Sequence, residues 1–544
     1  MRASMTPAQA SLHFHTLRHL KPVQIYGRLL FRIPRRAPRA DASPPLRRQT
    51  TPFFTPPSRR PSLTGPSQLR LLNETRDLDT HGWDDPALSK LWRYNLHYFD
   101  DLNAENAPSR SAWHHGLIER WIARNPPAHG TGWEPYPTSL RIVNWIKWTL
   151  AGNLLSAQAL ESLATQARWL GRRLEHHIQG NHLFANAKAL LFAGCFFAGS
   201  EAESWLSRGT KILRRELREQ LLADGGHFEL SPMYHALFLE DGLDLLNLLR
   251  AYGLDGDLAL ELEAASPGMR RWLAALTHPD GGIGFFNDAA FDVAPGFAAI
   301  EAYAMRLGLG TVGRISAVTH LAASGYLRLE KGPFTALLDM AKVGPDHLPG
   351  HAHADTLSFE LSVGRQRVIV NSGTGEYGSG AERHRQRGTA AHNTLCVEGQ
   401  NSSEVWAGFR VARRARPFGV TLREDAECIS VVASHDGYRR LGGRPIHTRR
   451  WLVTRRGFTV RDELSGPIRQ AQARFHFHPD VEARLSGRTV DLSCRGRIVL
   501  RAHVETGEPH LEASTWHPEF GLALPNACLA VACRDNRAAI RFEA

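Results

Sequence analysis

Residues 350–361 read GHAHADTLSFEL, which brings His351, His353 and Asp355 to the entrance of an alternating, strand-like run. On an extended backbone, positions i, i+2 and i+4 share a face. Two imidazoles and a carboxylate on one face can move protons near neutral pH, or hold a divalent ion if further donors converge on them. His392, at the head of HNTLCVEG, is the natural second imidazole for a pair with His353. HxH alone is a weak signal, and the HFH run at 476–478 repeats it: His476 and His478 are expected to sit on a solvent-facing strand.

Three more polar clusters interrupt otherwise apolar surroundings. GNHLFANAKALL (180–191) sets Asn181, His182 and Asn186 at the start of a helix, where the commonest task of an Asn is capping. HFELSPMYHALFLED (227–241) offers Glu229, Tyr234, His235 and Glu240 at a second helix entry behind a proline, a place where Tyr ordinarily packs half-buried. GGIGFFNDAA (281–290) supplies Asn287 and Asp288 in a turn between Gly and aromatic residues.

The elements that must position these groups change type along the chain. From about residue 110 to 310 apolar residues recur at helical spacing, as in SAWHHGLIERWIARN and ESLATQARWLGRRLEHHI, each segment broken by Gly, Pro, Asn or Asp. After about 320, segments such as LSFELSVGRQRVIVNSG and TRRWLVTRRGFTVRDELSG alternate with period two between turn residues. A run of helices followed by a run of strands implies two juxtaposed domains rather than interleaved α/β units, an α+β multidomain chain. The expected division is a basic, Pro-rich arm over 1–75, a helical domain over 76–315 and a β domain over 316–544.

Composition bounds the partners. The chain has 544 residues, 42% hydrophobic and 22% charged, the balance of a globular protein with more than one core. Residues 1–60 hold twelve Lys/Arg against one acid, Asp41, and so carry eleven of the twelve net positive charges. The body is nearly neutral, no nucleic-acid partner is expected, and peripheral contact of the arm with an anionic membrane surface is the competing expectation to a solvated lead-in. No apolar stretch is long enough for a transmembrane segment and no signal peptide is visible, so a cytoplasmic location is expected, with periplasm or cell envelope as the alternative. The six cysteines are scattered without a CxxC pair, which excludes a zinc knuckle or dense disulfide framework and suits a reducing compartment.

WRYNLHYFDDL, GWEPYPTSLRIVNW, GNHLFANAKAL, ELSPMYHALFLED, GHAHADTLSFEL, SGTGEY and HNTLCVEGQNSSEVW, taken in order, resemble the heparinase II/III family of polysaccharide lyases. LRHLKPVQIYGRLLFR is similar to members associated with capsule or exopolysaccharide assembly. The resemblance implies an incomplete α/α toroid followed by an antiparallel β-sandwich, with the cleft between them. It implies β-elimination on a uronic acid residue, with Asn181 binding the substrate carboxylate, Tyr234 as acid and, depending on sugar stereochemistry, base, and His351 as partner base. His182, His235, Glu229, Arg383, Arg387, Trp133 and Tyr136 are the substrate-binding candidates, with Tyr94 and His97 at the same rim. Arginine forks suit carboxylates and sulfates, although runs such as Arg383, Arg385 and Arg387, or Arg410, Arg413, Arg414 and Arg416, are usually solvated faces.

Relatives of this kind that hold a zinc take it from positions matching His353, Asn371 and His392. Here the middle position is Asn rather than Asp, which removes the anionic ligand of that set and should weaken divalent binding. No cofactor is expected to be required; a structural zinc at His353 and His392 stays open. Without it, Asn371 and His392 are expected to be tied by hydrogen bonds. The alternatives to a lyase are a non-catalytic glycan-binding or assembly protein on the same fold, and a metal-dependent glycan hydrolase.

Overall fold

The computed structural model describes residues 6–38, 41–254 and 256–544. Its helical part is built from Ser111–Arg124, Pro135–Leu150, Ala157–Arg172, Gly180–Phe196, Ser200–Gln220, Pro232–Ala251, Asp257–Ala275 and Phe297–Arg306. Local sequence sets the starts: the Ser156 hydroxyl accepts from the Ala159 N–H, and Ser231 does the same for Tyr234 behind a helix-compatible proline at Pro232. Trp121, Trp145 and Trp148 are almost fully buried where successive helices meet, so the tryptophans of the apolar faces form the centre of this core.

The β part begins at Val318–Leu321, and the strands of its sheets pair antiparallel. A five-stranded sheet runs in chain order from Val318–Leu321 to Gln366–Ile369. An eight-stranded sheet is centred on Gly457–Leu464 and Arg537–Glu543, and a four-stranded sheet joins Leu395–Val397, Ala471–His476, Leu524–Ala532 and Glu508–Trp516. Their inner faces share one core around Phe359, Trp451, Phe458, Phe475 and Phe542, with alternate residues only partly buried, as in Cys428–His435. Helices first and packed antiparallel sheets second is the architecture the periodicity switch predicts.

The arm is more ordered than its proline content suggests. Pro7–Leu17 and Pro22–Phe31 are helices, each with proline in its first turn, where the fixed φ favours helix and the missing N–H costs nothing. Residues beyond 41 then run extended over the helical part. The Arg47 N–H donates to the Phe196 carbonyl at 2.9 Å, Thr50 N–H to Ala251 at 2.9 Å, and Arg59 pairs with Glu240 at 2.6 Å.

His476 departs from expectation. It is 2% exposed, bonded through Nε2 to the Ala390 carbonyl at 3.0 Å, because Ala471–His476 is an interior strand of the four-stranded sheet. His478 is partly buried against Trp516, the ring centroids 4.7 Å apart.

Candidate active site

Asp288 is the centre of the site. It follows Asn287, whose left-handed backbone (φ 57°) turns the loop toward the β part. That loop is zipped to 351–355: Asp288 N–H donates to the His351 carbonyl at 2.9 Å, His353 N–H to the Asn287 amide oxygen at 3.0 Å, and Asn287 N–H to Asp355 at 3.0 Å. The Asp288 side chain is fully buried and accepts from His351 Nδ1 (2.9 Å), His353 Nε2 (2.9 Å), Thr374 Oγ1 (3.2 Å) and both terminal nitrogens of Arg383, one at 2.8 Å. Burial alone would raise its pKa; Arg383 and the two histidines overrule this and hold the carboxyl well below the usual range.

An ionised Asp288 fixes tautomers. An acceptor-only carboxylate requires His351 to carry its proton on Nδ1, which leaves the Nε2 lone pair free, 3.6 Å from Glu229. Glu229 is 2% exposed and, among the described residues, neither of its oxygens has a hydrogen-bond partner. Burial raises its pKa, which favours the neutral acid. The Tyr234 ring lies on the His351 ring, centroids 3.9 Å apart, and its hydroxyl meets the Tyr377 hydroxyl at 2.8 Å. Burial pushes the Tyr234 phenol well above its ordinary value, so it is a proton donor at neutral pH.

Of these groups, His351, Tyr234 and Tyr377 open on a cleft of about 640 Å³. Asn181 lies inside the first turn of Gly180–Phe196 rather than capping it, since Gln179 occupies the cap position. Its side chain lines the cleft and has no hydrogen-bond partner among the described residues. Gly180, with φ 55°, brings this turn so close that an added Cβ would stand 2.7 Å from Glu229 and 2.5 Å from Leu348. His182 faces the same cleft, with the Tyr136 ring tilted against it, centroids 4.4 Å apart, and Glu175 3.1 Å from its Nδ1. Burial would lower the His182 pKa, but Glu175 outweighs it and raises the value, favouring an imidazolium beside Asn181.

Several candidates lie elsewhere. Trp133 is 4% exposed and donates to the Asn125 carbonyl, and His97, fully buried, accepts from the Trp121 indole; both belong to the helical core. His235 is buried, bonded to the Met269 carbonyl at 2.8 Å, with its pKa lowered by burial to about 4. Arg387 is buried among the carbonyls of Ala352, Ala407 and Arg410, and Arg383 is spent on Asp288; neither lines the cleft, so both are internal braces. Arg413 pairs with Glu404, and Arg414 and Arg416 with Asp346. Tyr94 does reach the cleft, its hydroxyl donating to Glu134. The cations along the cleft come instead from the arm and the first helical segments: Arg59, Arg60, Arg70 and Lys90. Asp288 and Tyr377 were not singled out for roles in the sequence; their only signals were the polar NDAA turn and the tyrosine of SGTGEY.

The metal expectation is also redrawn. Asn371 is not tied to His392: its Oδ1 accepts from the Asn393 N–H at 3.0 Å. The third donor is Asp355, whose carboxylate lies with ring nitrogens of His353 and His392, all within 4.8 Å of one another and all buried. His353 gives its Nε2 proton to Asp288, and His392 gives its Nδ1 proton to the Gly388 carbonyl at 2.8 Å. The two remaining nitrogens, His353 Nδ1 and His392 Nε2, therefore turn lone pairs toward each other at 3.1 Å. Burial lowers both pKa values, that of His392 to about 4. Two neutral imidazoles oriented by hydrogen bonds from behind, with one carboxylate, are a donor set that fits zinc.

Two family models match this chain: "Heparinase II/III N-terminus" over residues 111–296 and "Heparinase II/III-like, C-terminal" over 314–539. The chain belongs to the heparinase II/III family. It is 27% identical over 246 residues to a heparin-sulfate lyase of Bacteroides stercoris, an alignment covering 42% of this chain and 37% of that one. It is 27% identical over 265 residues to a heparin-sulfate lyase of Pedobacter heparinus, covering 44% and 39%. The matched segments thus span well under half of these curated relatives. Among solved structures it is similar to a heparinase III (TM-score 0.68, 19% identity, 86% of this chain and 79% of that one). It is likewise similar to a heparan sulfate lyase mutant of Pedobacter heparinus (TM-score 0.59, 19% identity, 88% and 81%). These structures share the fold, a helical toroid with a β-sandwich.

Proposed function

We propose that this protein is a polysaccharide lyase that cleaves a uronic-acid-containing polymer by β-elimination. The observation that carries the reading is the convergence on one cleft of three groups of suitable protonation: the free Nε2 of His351, the Tyr234 hydroxyl and the unengaged amide of Asn181. The names of the matched relatives, heparin-sulfate lyases, agree with this class of substrate.

The proton to be removed lies α to a carboxylate and is scarcely acidic while that carboxylate keeps its full charge. The Asn181 amide donates to the substrate carboxylate, and cationic His182 beside it stabilises the charge that develops as the C–H bond breaks. His351 takes the proton on Nε2, with Asp288 holding its Nδ1–H and stabilising the imidazolium that forms. Tyr234 gives its phenolic proton to the departing glycosidic oxygen, and Tyr377 supports the hydroxyl as it becomes anionic. Arg60, Arg70 and Lys90 along the cleft suit further anionic groups of the polymer. The likeness of LRHLKPVQIYGRLLFR to capsule-associated members supports a place in exopolysaccharide or capsule metabolism.

The reaction as written needs no cofactor. Zinc, when bound by His353, Asp355 and His392, would supply a fixed positive charge that ties the 351–355 and 388–393 segments together. Through Asp288, His353 already positions His351 from behind.

The test is incubation with a panel of uronate polymers while following the ultraviolet absorbance of the unsaturated sugar. A rise on at least one polymer is expected, falling by about 10²- to 10⁴-fold in Tyr234→Phe. No rise on any polyuronate refutes the lyase reading, whereas a rise unaffected by Tyr234→Phe refutes the assignment of the acid.

A further inference from the structure

The charge of the arm invites a polyanion, but its folded form shows a second property that charge does not explain. Seven large apolar side chains within residues 14–33 stand about half exposed or more: Phe14, Leu17, Ile25, Tyr26, Leu29, Leu30 and Ile33. Elsewhere in the molecule such residues are scattered singly, which is ordinary for a protein surface. Those at 25, 26, 29, 30 and 33 recur at helical spacing and so form one stripe along Pro22–Phe31 and its C-terminal end.

The stripe faces outward because the opposite side of each helix is held by the body. Gln24 donates to the His347 carbonyl at 2.9 Å, the Phe31 ring packs on His177 at 4.3 Å, and Arg173 lies 3.8 Å over Phe31. In the preceding helix, Thr16 accepts from the Trp406 indole at 3.0 Å. A helix laid on a protein normally turns its apolar side inward; this one leaves an apolar side toward solvent.

Charge decides what covers it. Residues 6–38 contain six Lys/Arg and no Asp or Glu, and Arg18, Arg28, Arg32, Arg35 and Arg36 are all exposed around the stripe. A second copy of the chain would bring the same cations together face to face. An acidic glycan would use the arginines and leave the leucines in water. An anionic bilayer uses both, taking the apolar side chains to the acyl boundary and the guanidinium groups to its headgroups. Among the described residues no helix is long and apolar enough to cross a membrane, which fits a helix lying in the interface.

We infer that the exposed face of the two N-terminal helices is a docking surface for the interface of an anionic lipid bilayer. This does not rest on the lyase reading. The whole protein is sedimented with vesicles of phosphatidylcholine alone or mixed with phosphatidylglycerol, beside Leu29→Ser/Leu30→Ser and Arg28→Glu/Arg32→Glu. Wild type is expected to partition onto the anionic vesicles, and each double substitution to weaken this by about tenfold or more. Added salt is expected to weaken the binding without abolishing it, since it screens only the charge component. Where one pair of substitutions lowers thermal stability, the other decides. No binding to anionic vesicles, or equal binding by wild type and both variants, overturns the proposal. So does a dimer in light scattering that Leu29→Ser/Leu30→Ser splits, which would give the face to a second copy.

Discussion

His353 with His392, and His435 with His447, are buried imidazole pairs whose facing nitrogens stand 3.1 Å apart in each case. The second pair is a consistent relay. Gly437 N–H donates to His435 Nδ1, so His435 Nε2–H donates to His447 Nδ1, and His447 Nε2–H donates to Asp462 at 2.6 Å. Arg449 closes the chain on Asp462. The first pair has donors on both outer sides, Asp288 and Gly388 accepting them, and two lone pairs in the middle. Equal spacing therefore describes two different chemistries: a closed hydrogen-bond chain that braces the sandwich, and a donor set that fits a cation. What separates them is the group behind each ring, an N–H in one case and a carbonyl in the other.

Removing the carboxylate from each pair tests the distinction most severely. Asp288→Asn and Asp462→Asn both strand a buried arginine, and each is expected to cost about 3–5 kcal/mol in denaturant unfolding. Only Asp288→Asn should also lower kcat of the folded fraction, by about 10³- to 10⁴-fold, because it alone orients His351. Equal kcat losses in the two variants would erase the difference between the regions.

The pairs can next be set against buried histidines that have no imidazole partner. Burial lowers the pKa of His97 to about 3 and that of His235 to about 4, so the folded state keeps both neutral. The unfolded chain takes up these protons near pH 6.5, so their contribution to stability is full above that value and is lost as pH falls through 6.5 toward 4. The expected loss is about 3 kcal/mol each at the acid end, and His97→Gln should flatten the unfolding free energy against pH.

Zinc added to chelator-treated protein should raise stability by about 2.7 kcal/mol at a hundredfold excess over Kd. His392→Asn should remove that gain and His447→Asn should leave it, as read from thermal unfolding and from metal retained after desalting. The smallest effect is expected from Thr374→Val, which takes one 3.2 Å hydrogen bond from Asp288 and should cost about 1 kcal/mol.

Much of the fold was legible because helix and strand periodicities differ and the switch near residue 315 is sharp. Asn181, Tyr234 and His351 were legible through motif, and the structure brings all three to one cleft. Burial was not legible. Trp133, His235 and Arg387 have the types and neighbours of cleft residues, yet close packing and backbone carbonyls claim them. Asp355 shares a face with the two histidines in the sequence and accepts from Asn287, but sequence distance hid its approach to His392, 37 residues on in a different loop. Asp288 was hidden for the same reason: its donors come from 351, 353, 374 and 383.

The strap that follows the N-terminal helices has a further consequence, for the order of assembly. Arg60 and Asn73 both bond Glu519, at 2.8 and 3.0 Å, across separations of 459 and 446 residues. Asn73 also reaches the Phe520 carbonyl, and the Leu72 carbonyl lies against Gly521 so tightly that an added Cβ would stand 1.9 Å from it. Arg60, Leu72, Asn73, Glu519 and Phe520 all line the cleft. During synthesis one wall of the cleft therefore waits for the chain beyond residue 516. Contacts of such long range close late, because their loop entropy must be met before they return any stability. A chain still being made would hold His351 and Tyr234 without that wall of the cleft.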